Sequence, residues 1–363
     1  MTWIAIVDHH DGRFAPHGID RPKHAPRPYP PDQLIPRGTL LLETRLSPDG
    51  RPQTLLAFQR QHPWPGSFSL RALPQGGIIL VVTQGDDIHH ATLPHQADGR
   101  TDIVRLTYSW DAPARWGRLT MERPESDLIH SVDMSPPHPM LMADVHALCQ
   151  HRYNHEMDPD VDFFAISTKV EPVGPMPALT SRVPIATTFG DVAAGQLKRG
   201  DVVLTDTGIS VPVLRMVSRT VPARGSFRPV RLRAPYFGLR EDIVVAPQQR
   251  LVISGSEVEY MFGREAVLVP ARHLVNGRSA LFAKGPELVT YRHLLLPGHE
   301  AVLAAGGCAL ESLYIGRLRR KPDQLVQSVL AEADRSRLPE HAKPVWPVLK
   351  PFEAITLAMQ RVA

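Results

Sequence analysis

Two cysteines in 363 residues, Cys149 and Cys308, are too few and too far apart for a disulfide framework or for zinc-ligand spacing. Long apolar runs are also missing. None approaches the roughly 18 residues that a membrane-crossing helix needs, and the opening MTWIAIVDHHDGRF turns polar after Val7, too soon for a signal peptide. Nor does one sign of charge dominate, since 41 Lys and Arg against 37 Asp and Glu leave +4, which does not imply nucleic acid or an anionic membrane as partner. The basic run Arg317 to Lys321 has no interleaved aromatics and reads as a solvated approach to a helix. These absences leave the expectation of a soluble, folded protein, cytoplasmic or exported by a route that does not read its N-terminus. It is expected to use no cofactor, no metal, no nucleic acid and no membrane insertion; a protein or a glycan is the open choice of partner.

What the chain has is short apolar runs separated by turn residues. With 43% hydrophobic residues a chain of this length can bury more than one core, so two domains are expected. Residues 1–37, rich in Pro and Arg and without periodicity, read as a flexible arm. Strand candidates follow at Thr39–Leu46, Leu55–Arg60, Ser67–Leu73, Ile78–Val82, Ile103–Trp110 and Arg118–Glu122. In the fifth, Val104, Leu106, Tyr108 and Trp110 share one face, while Arg105, Thr107 and Ser109 share the other, the pattern of a sheet with one wet side. Residues 38–150 are therefore expected to form a β-sandwich. Met140–Gln150 has the spacing of a short helix, and residues 151–178, with Pro172, Pro175 and Pro177, read as a linker.

A second β-rich pattern runs over residues 179–320. Its early elements are Ile185–Thr188, Asp201–Thr205 and Val211–Arg215; Val230–Leu232, Ile243–Ala246, Leu251–Ile253, Ala266–Val269, Leu288–Leu296, Glu300–Ala304 and Glu311–Leu313 continue it. Asp201 after Gly200 reads as a turn former, and Asn276-Gly277 as a tight turn. In residues 321–363, Leu325, Val326, Val329, Leu330 and Ala333 fit one helical stripe, and Phe352, Ile355 and Met359 fit another. The fold class expected is all-β: an N-terminal sandwich, a second β fold, and short C-terminal helices.

Five segments in order carry a resemblance: ATTFGDVAAGQLKRGDVVLTDTG from Ala186, RPVRLRAPYFG from Arg228, VVAPQQRLVI from Val244, FGREAVLVPARHLVNG from Phe262, and YRHLLLPGHEAVLAAGG from Tyr291. The stretch resembles the Hint domain of the hedgehog and intein superfamily, in its bacterial branch. YSWDAPARWGRL, from Tyr108, is similar to the concanavalin-like sandwich that sometimes precedes such a domain. The resemblance implies a Cys or Ser nucleophile that attacks the preceding carbonyl, and a histidine that protonates the departing nitrogen. Aligned on Ile185, the nucleophile's position holds Ala178. The histidine's position, in Ala246-Pro247-Gln248-Gln249-Arg250, holds Gln249. Alanine offers no nucleophile, and an amide neither gives nor takes a proton near pH 7.

Thr180 and Ser181 are the alternative nucleophiles if the register slips by a few residues. His293 and His299 match the histidines of the family's late strand; read without the family, His293 is a structural, hydrogen-bonded residue and His299 a surface or turn residue paired with Glu300. The resemblance thus implies a degenerate, non-processing domain serving as a scaffold or binding module. Self-processing through displaced groups and a glycan-binding sandwich are the alternatives. Asp86, Asp87, His89 and His90 are ligand types but fit no cage spacing, so they read as an exposed loop. Trp110 and Trp116 read as packing residues before sugar-binding ones.

Overall fold

The computed structural model describes residues 3–20, 29–30, 32–74, 77–95, 99, 101–126, 128–150 and 155–360. The chain divides into two compact units, Met1–Val173 and Gly174–Ala363. Strands dominate both, as the alternating runs predict, and no helix among the described residues is long and apolar enough to cross a membrane.

In the first unit, a seven-stranded antiparallel sheet runs in the order Leu128–Met134, Trp116–Arg123, Ile103–Asp111, Arg37–Arg45, Val161–Ser167, Trp3–Val7, Gly12–Phe14. A five-stranded one runs His155–Met157, Gln53–Arg60, Gly66–Leu73, Gly77–Gln84, Asp87–Leu93. Leu40, Leu42, Leu106, Tyr108 and Trp110 of the first share one core with Leu56, Phe58, Phe68, Leu70 and Leu80 of the second, which makes the unit a β-sandwich.

Three expectations need correction here. Trp3–Val7 and Gly12–Phe14, expected in a flexible arm, are strands, and all five residues of WIAIV are buried. A β-rich pentapeptide with no polar member has more to gain from a sheet than from solvent; residues 21–28 and 31 of that arm lie outside the described residues. Val161–Ser167, expected within the linker, pairs with Arg37–Arg45 on one side and Trp3–Val7 on the other. The prolines after it, not the residues before it, mark the change of unit. Residues 151–154 of the expected linker are outside the described residues.

The wet face of Ile103–Asp111 is not wet. Arg105, Thr107 and Ser109 are all buried. Register sets Arg105 opposite Glu43 on one neighbour and Glu122 on the other, with Arg105 Nε 3.3 Å from Glu43 Oε2. Ser109 Oγ meets Thr39 Oγ1 at 3.2 Å. Cross-strand ion pairing and hydroxyl contacts thus supply partners that water would otherwise provide. Alternation alone does not distinguish a solvated polar face from a paired one.

The second unit has two sheets around one core. One runs Arg215–Pro222, Leu288–Leu295, Leu179–Thr180, Ile243–Val245, Val230–Leu232, Ala280–Phe282. The other runs Ser210–Pro212, Val202–Leu204, Pro184–Thr187, Ala301–Ala304, Cys308–Glu311, Arg250–Ser254, Ala266–Pro270, with Gly190–Ala193 also on Pro184–Thr187. Asp201 and Asn276 build turns as expected: Asp201 Oδ2 accepts from Lys198 N at 2.8 Å, and Asn276 Oδ1 from Arg278 N at 2.8 Å and Ser279 N at 2.9 Å.

The C-terminal helices differ from their stripes. The first is only Pro322–Leu325, because Ser328 Oγ donates to Leu325 O at 2.8 Å and accepts from Leu330 N at 3.1 Å, taking over backbone partners that a continuing helix would use. Leu325 and Leu330 still reach a small core with Leu313, Ile315 and Leu338. The second helix, Pro351–Gln360, forms, but it buries Ala354 and Leu357 and turns Phe352, Ile355 and Met359 outward. Both faces carry apolar residues at helical spacing, so periodicity could not choose between them.

The sandwich core gives a direct test. Leu42 is wholly buried between the two sheets of the first unit. Leu42→Ala is expected to lower that unit's stability by about 2–5 kcal/mol, measured as a shift in its urea midpoint; a change below about 1 kcal/mol would contradict the packing described.

Candidate functional site

Ala178, Gln249 and His293 are far apart in sequence, and three backbone elements of the second unit bring them together. Leu179–Thr180 lies between Leu288–Leu295 and Ile243–Val245, with Leu179 opposite Arg292 and Val245, and Thr180 opposite Tyr291. Continuing that antiparallel register by one step sets Ala178 opposite His293. On its other side Ala178 O accepts from Ala246 N at 2.7 Å. The turn Ala246 to Gln249 closes with Gln249 N donating to Ala246 O at 3.0 Å.

The side chains of Gln249 and His293 meet at one acceptor. Gln249 Nε2 donates to Glu311 O at 3.1 Å and to Arg250 O at 2.9 Å, while His293 Nε2 reaches the same Glu311 O at 2.9 Å. A carbonyl only accepts, so the His293 proton sits on Nε2. Burial pushes His293 down to about 4, which keeps its ring neutral at pH 7. Gln249 and His293 are almost completely buried, at 1% and 3% exposure, so neither faces solvent from which a proton could be exchanged.

Glu311 also binds through its carboxylate. Arg250 Nη1 donates to Oε1 at 3.1 Å, and His299 Nε2 stands 3.1 Å from the same oxygen, off the hydrogen-bond direction. Burial alone would raise the Glu311 carboxyl; the His299 contact and the Arg250 charge outweigh it and hold the group below its ordinary value. His299 is therefore not the surface residue paired with Glu300 that the sequence leads one to expect. Its ring is buried against Glu311, and its Nδ1 accepts from Val345 N at 2.8 Å. Nothing in CALESLYI marks Glu311 as the hub, since a single carboxylate in a short strand carries no periodic signal.

The alternative nucleophiles are already engaged. Thr180 Oγ1 donates to Val244 O at 2.7 Å, and Ser181 Oγ accepts from Arg292 Nε at 3.2 Å. Among the described residues, neither hydroxyl is hydrogen-bonded to an imidazole or carboxylate that could serve as its base.

Elsewhere, Asp87–Leu93 is a strand rather than the expected loop, so Asp87 and His89 share one face and His90 takes the other. His89 Nδ1 meets Ser135 Oγ at 2.9 Å and His138 Nε2 meets Asp87 Oδ2 at 2.8 Å. Among the described residues no group of three or more His, Cys, Asp and Glu is placed to hold a metal ion. Trp110 is wholly buried and donates from Nε1 to Ile35 O at 3.0 Å, a packing role. Trp116 stacks under Arg118.

Residues 177–317 match the model of a family described as the Hint domain. No curated protein matches the chain. Among solved structures, a bacterial intein-like domain from Clostridium thermocellum is 18% identical, with 38% of this chain and 99% of that one covered and a TM-score of 0.27. The MchDnaB-1 intein is also 18% identical, covering 37% and 98%, with a TM-score of 0.27. A Ruminococcus gnavus IT-sialidase CBM40 structure is 12% identical, covering 36% of this chain and 64% of that one, with a TM-score of 0.24.

Two outcomes test this description. Glu311→Gln leaves the buried Arg250 without its counter-charge and is expected to cost about 3–5 kcal/mol. A carboxyl held low in the folded state adds stability that is present above its ordinary value of 4.5 and is lost as pH falls through the folded value. Urea midpoints against pH should therefore drop less steeply below pH 4.5 in the variant than in the wild type. Burial pushes both Cys149 and Cys308 up to about 12, so neither is a thiolate at pH 7. Iodoacetamide at pH 7.5 should label neither in the folded chain and both in urea, read by intact mass.

Proposed function

We propose, from a chain whose residues 177–317 form a Hint domain, that this domain is degenerate, does not process its own backbone, and serves as a scaffold or binding module. One observation carries the reading. The two positions that the family's chemistry requires, Ala178 and Gln249, lie in one hydrogen-bonded network, and neither holds a group able to do its part. A methyl group cannot attack a carbonyl. The Gln249 amide cannot protonate a leaving nitrogen, and both its donor contacts go to carbonyl oxygens. His293 is an imidazole, yet its Nε2 proton is committed to Glu311 O.

Nucleophile and acid serve the same step, so restoring one alone gains little. Proton transfer by a placed group contributes about 10²- to 10⁴-fold, whereas the nucleophile opens the covalent path itself. The scaffold reading also rests on what remains intact: the strands that bring 178, 249 and 293 together are kept, which a domain retained for its shape requires.

The test is the intact mass of the full chain after long incubation at neutral pH, with and without hydroxylamine or a thiol. The mass is expected to stay unchanged. Ala178→Cys combined with Gln249→His is expected to give a thiol-dependent cut just before residue 178. Cleavage of the unmodified chain near Thr180 or Ser181 would overturn the proposal and place the protein among self-processing ones.

A further inference from the structure

Beyond the stretch that matches the Hint family, the chain returns to the second unit and lies along it. Leu268, in the middle of the edge strand Ala266–Pro270, donates to Pro347 O at 2.8 Å and accepts from Leu349 N at 3.0 Å, making a parallel bridge to Val348. Upstream, His341 N donates to Gly316 O at 2.9 Å. The side chains add two further fastenings, both through imidazoles. Val345 N donates to His299 Nδ1 at 2.8 Å, and Ile315 N donates to His341 Nδ1 at 3.4 Å, while His341 Nε2 meets Leu296 O at 3.3 Å.

We propose that residues 341–349 form an acid-released strap, which covers the sheet edge at Leu268 and is held shut by the neutral imidazoles of His299 and His341. The geometry requires neutrality at both rings. Each Nδ1 receives a backbone N–H, and a protonated ring would turn a second donor toward that N–H in place of a lone pair. The two rings also face each other, with centroids 5.5 Å apart, and each packs on Tyr314, at 4.9 Å for His299 and 6.2 Å for His341. A proton on either imidazole therefore places charge beside its neighbour in a buried site. Release of the strap leaves the edge of Ala266–Pro270 without its partner, and such an edge can accept another extended segment.

The charges around the latch set the sign of its response. Burial, aided by His299, pushes His341 down to about 4 from its ordinary 6.5. The closed strap thus holds its full advantage above about pH 6.5 and loses it as pH falls toward 4. His293, also lowered to about 4, bonds Glu311 O within the sheets and bears on the body of the unit, not on the strap. Glu311 favours a charged ring at His341, but Arg250 already occupies its carboxylate oxygen. At the other end of the strap, burial raises Asp206, which meets Trp346, and raises Glu300; proton uptake there favours the closed form and opposes release. Lys343, also on the strap, is exposed.

The test is amide hydrogen exchange on the full chain, corrected for the intrinsic pH dependence of exchange. A ring at about 4 when closed and 6.5 when open raises the open fraction roughly twentyfold between pH 7 and pH 5. Protection at Leu268, Val345 and Leu349 is expected to fall by about that factor, while the paired strands Ala301–Ala304 and Cys308–Glu311 keep theirs. His341→Gln supplies a donor for Leu296 O and an acceptor for Ile315 N without titrating, and is expected to flatten the response. If that variant does not fold, the wild-type ring resonance of His341 replaces it and is expected to titrate over the pH range of opening. The proposal is overturned if strap protection is unchanged down to pH 5, if strap and body open together, if His341→Gln opens like the wild type, or if the ring titrates without opening.

Discussion

Glu311 is the constraint on which the second unit's polar interior depends. Its carbonyl accepts hydrogen bonds from Gln249 and His293, and its carboxylate faces Arg250 and His299. A buried carboxylate is costly unless paired, and pairing it fixes the rotamers of everything that touches it. Four side chains from two stretches of sequence, Gln249 with Arg250 and His293 with His299, are thereby tied to one residue in a short strand. The strap is tied to it at one remove, through the ring of His299 that Val345 donates to.

The network joins buried side chains to backbone carbonyls and amides. Here every imidazole in the network is buried, its hydrogen bonds point at backbone groups, and His293 and His341 are pushed well below their ordinary range. The amide of Gln249 fits that setting, because it donates to two carbonyls without carrying charge into the interior. The first unit solves a comparable problem differently. It buries Arg105 beside Glu43 within a sheet, where strand register provides the pairing.

Several elements were legible from the residues because the cause is local. Period-two alternation in IVRLTYSW follows from the pleat, and Asn276-Gly277 makes its turn through its own side chain. Local pattern does not decide the structure where it is compatible with two surroundings. Asp87–Leu93 and Val161–Ser167 look irregular or acidic at their ends, yet both gain partners from distant strands.

The residues alone carried the all-β class and the change of pattern between two units. Those properties depend on side-chain identity and on periods of two or four residues. Only the tertiary structure decided that the polar face of Ile103–Asp111 is buried, that Phe352, Ile355 and Met359 face outward, and that His299 pairs with Glu311 rather than with its neighbour Glu300. Each of those outcomes depends on which distant backbone arrives to fill a face or accept a proton, and that arrival is a property of packing and register that no local period encodes.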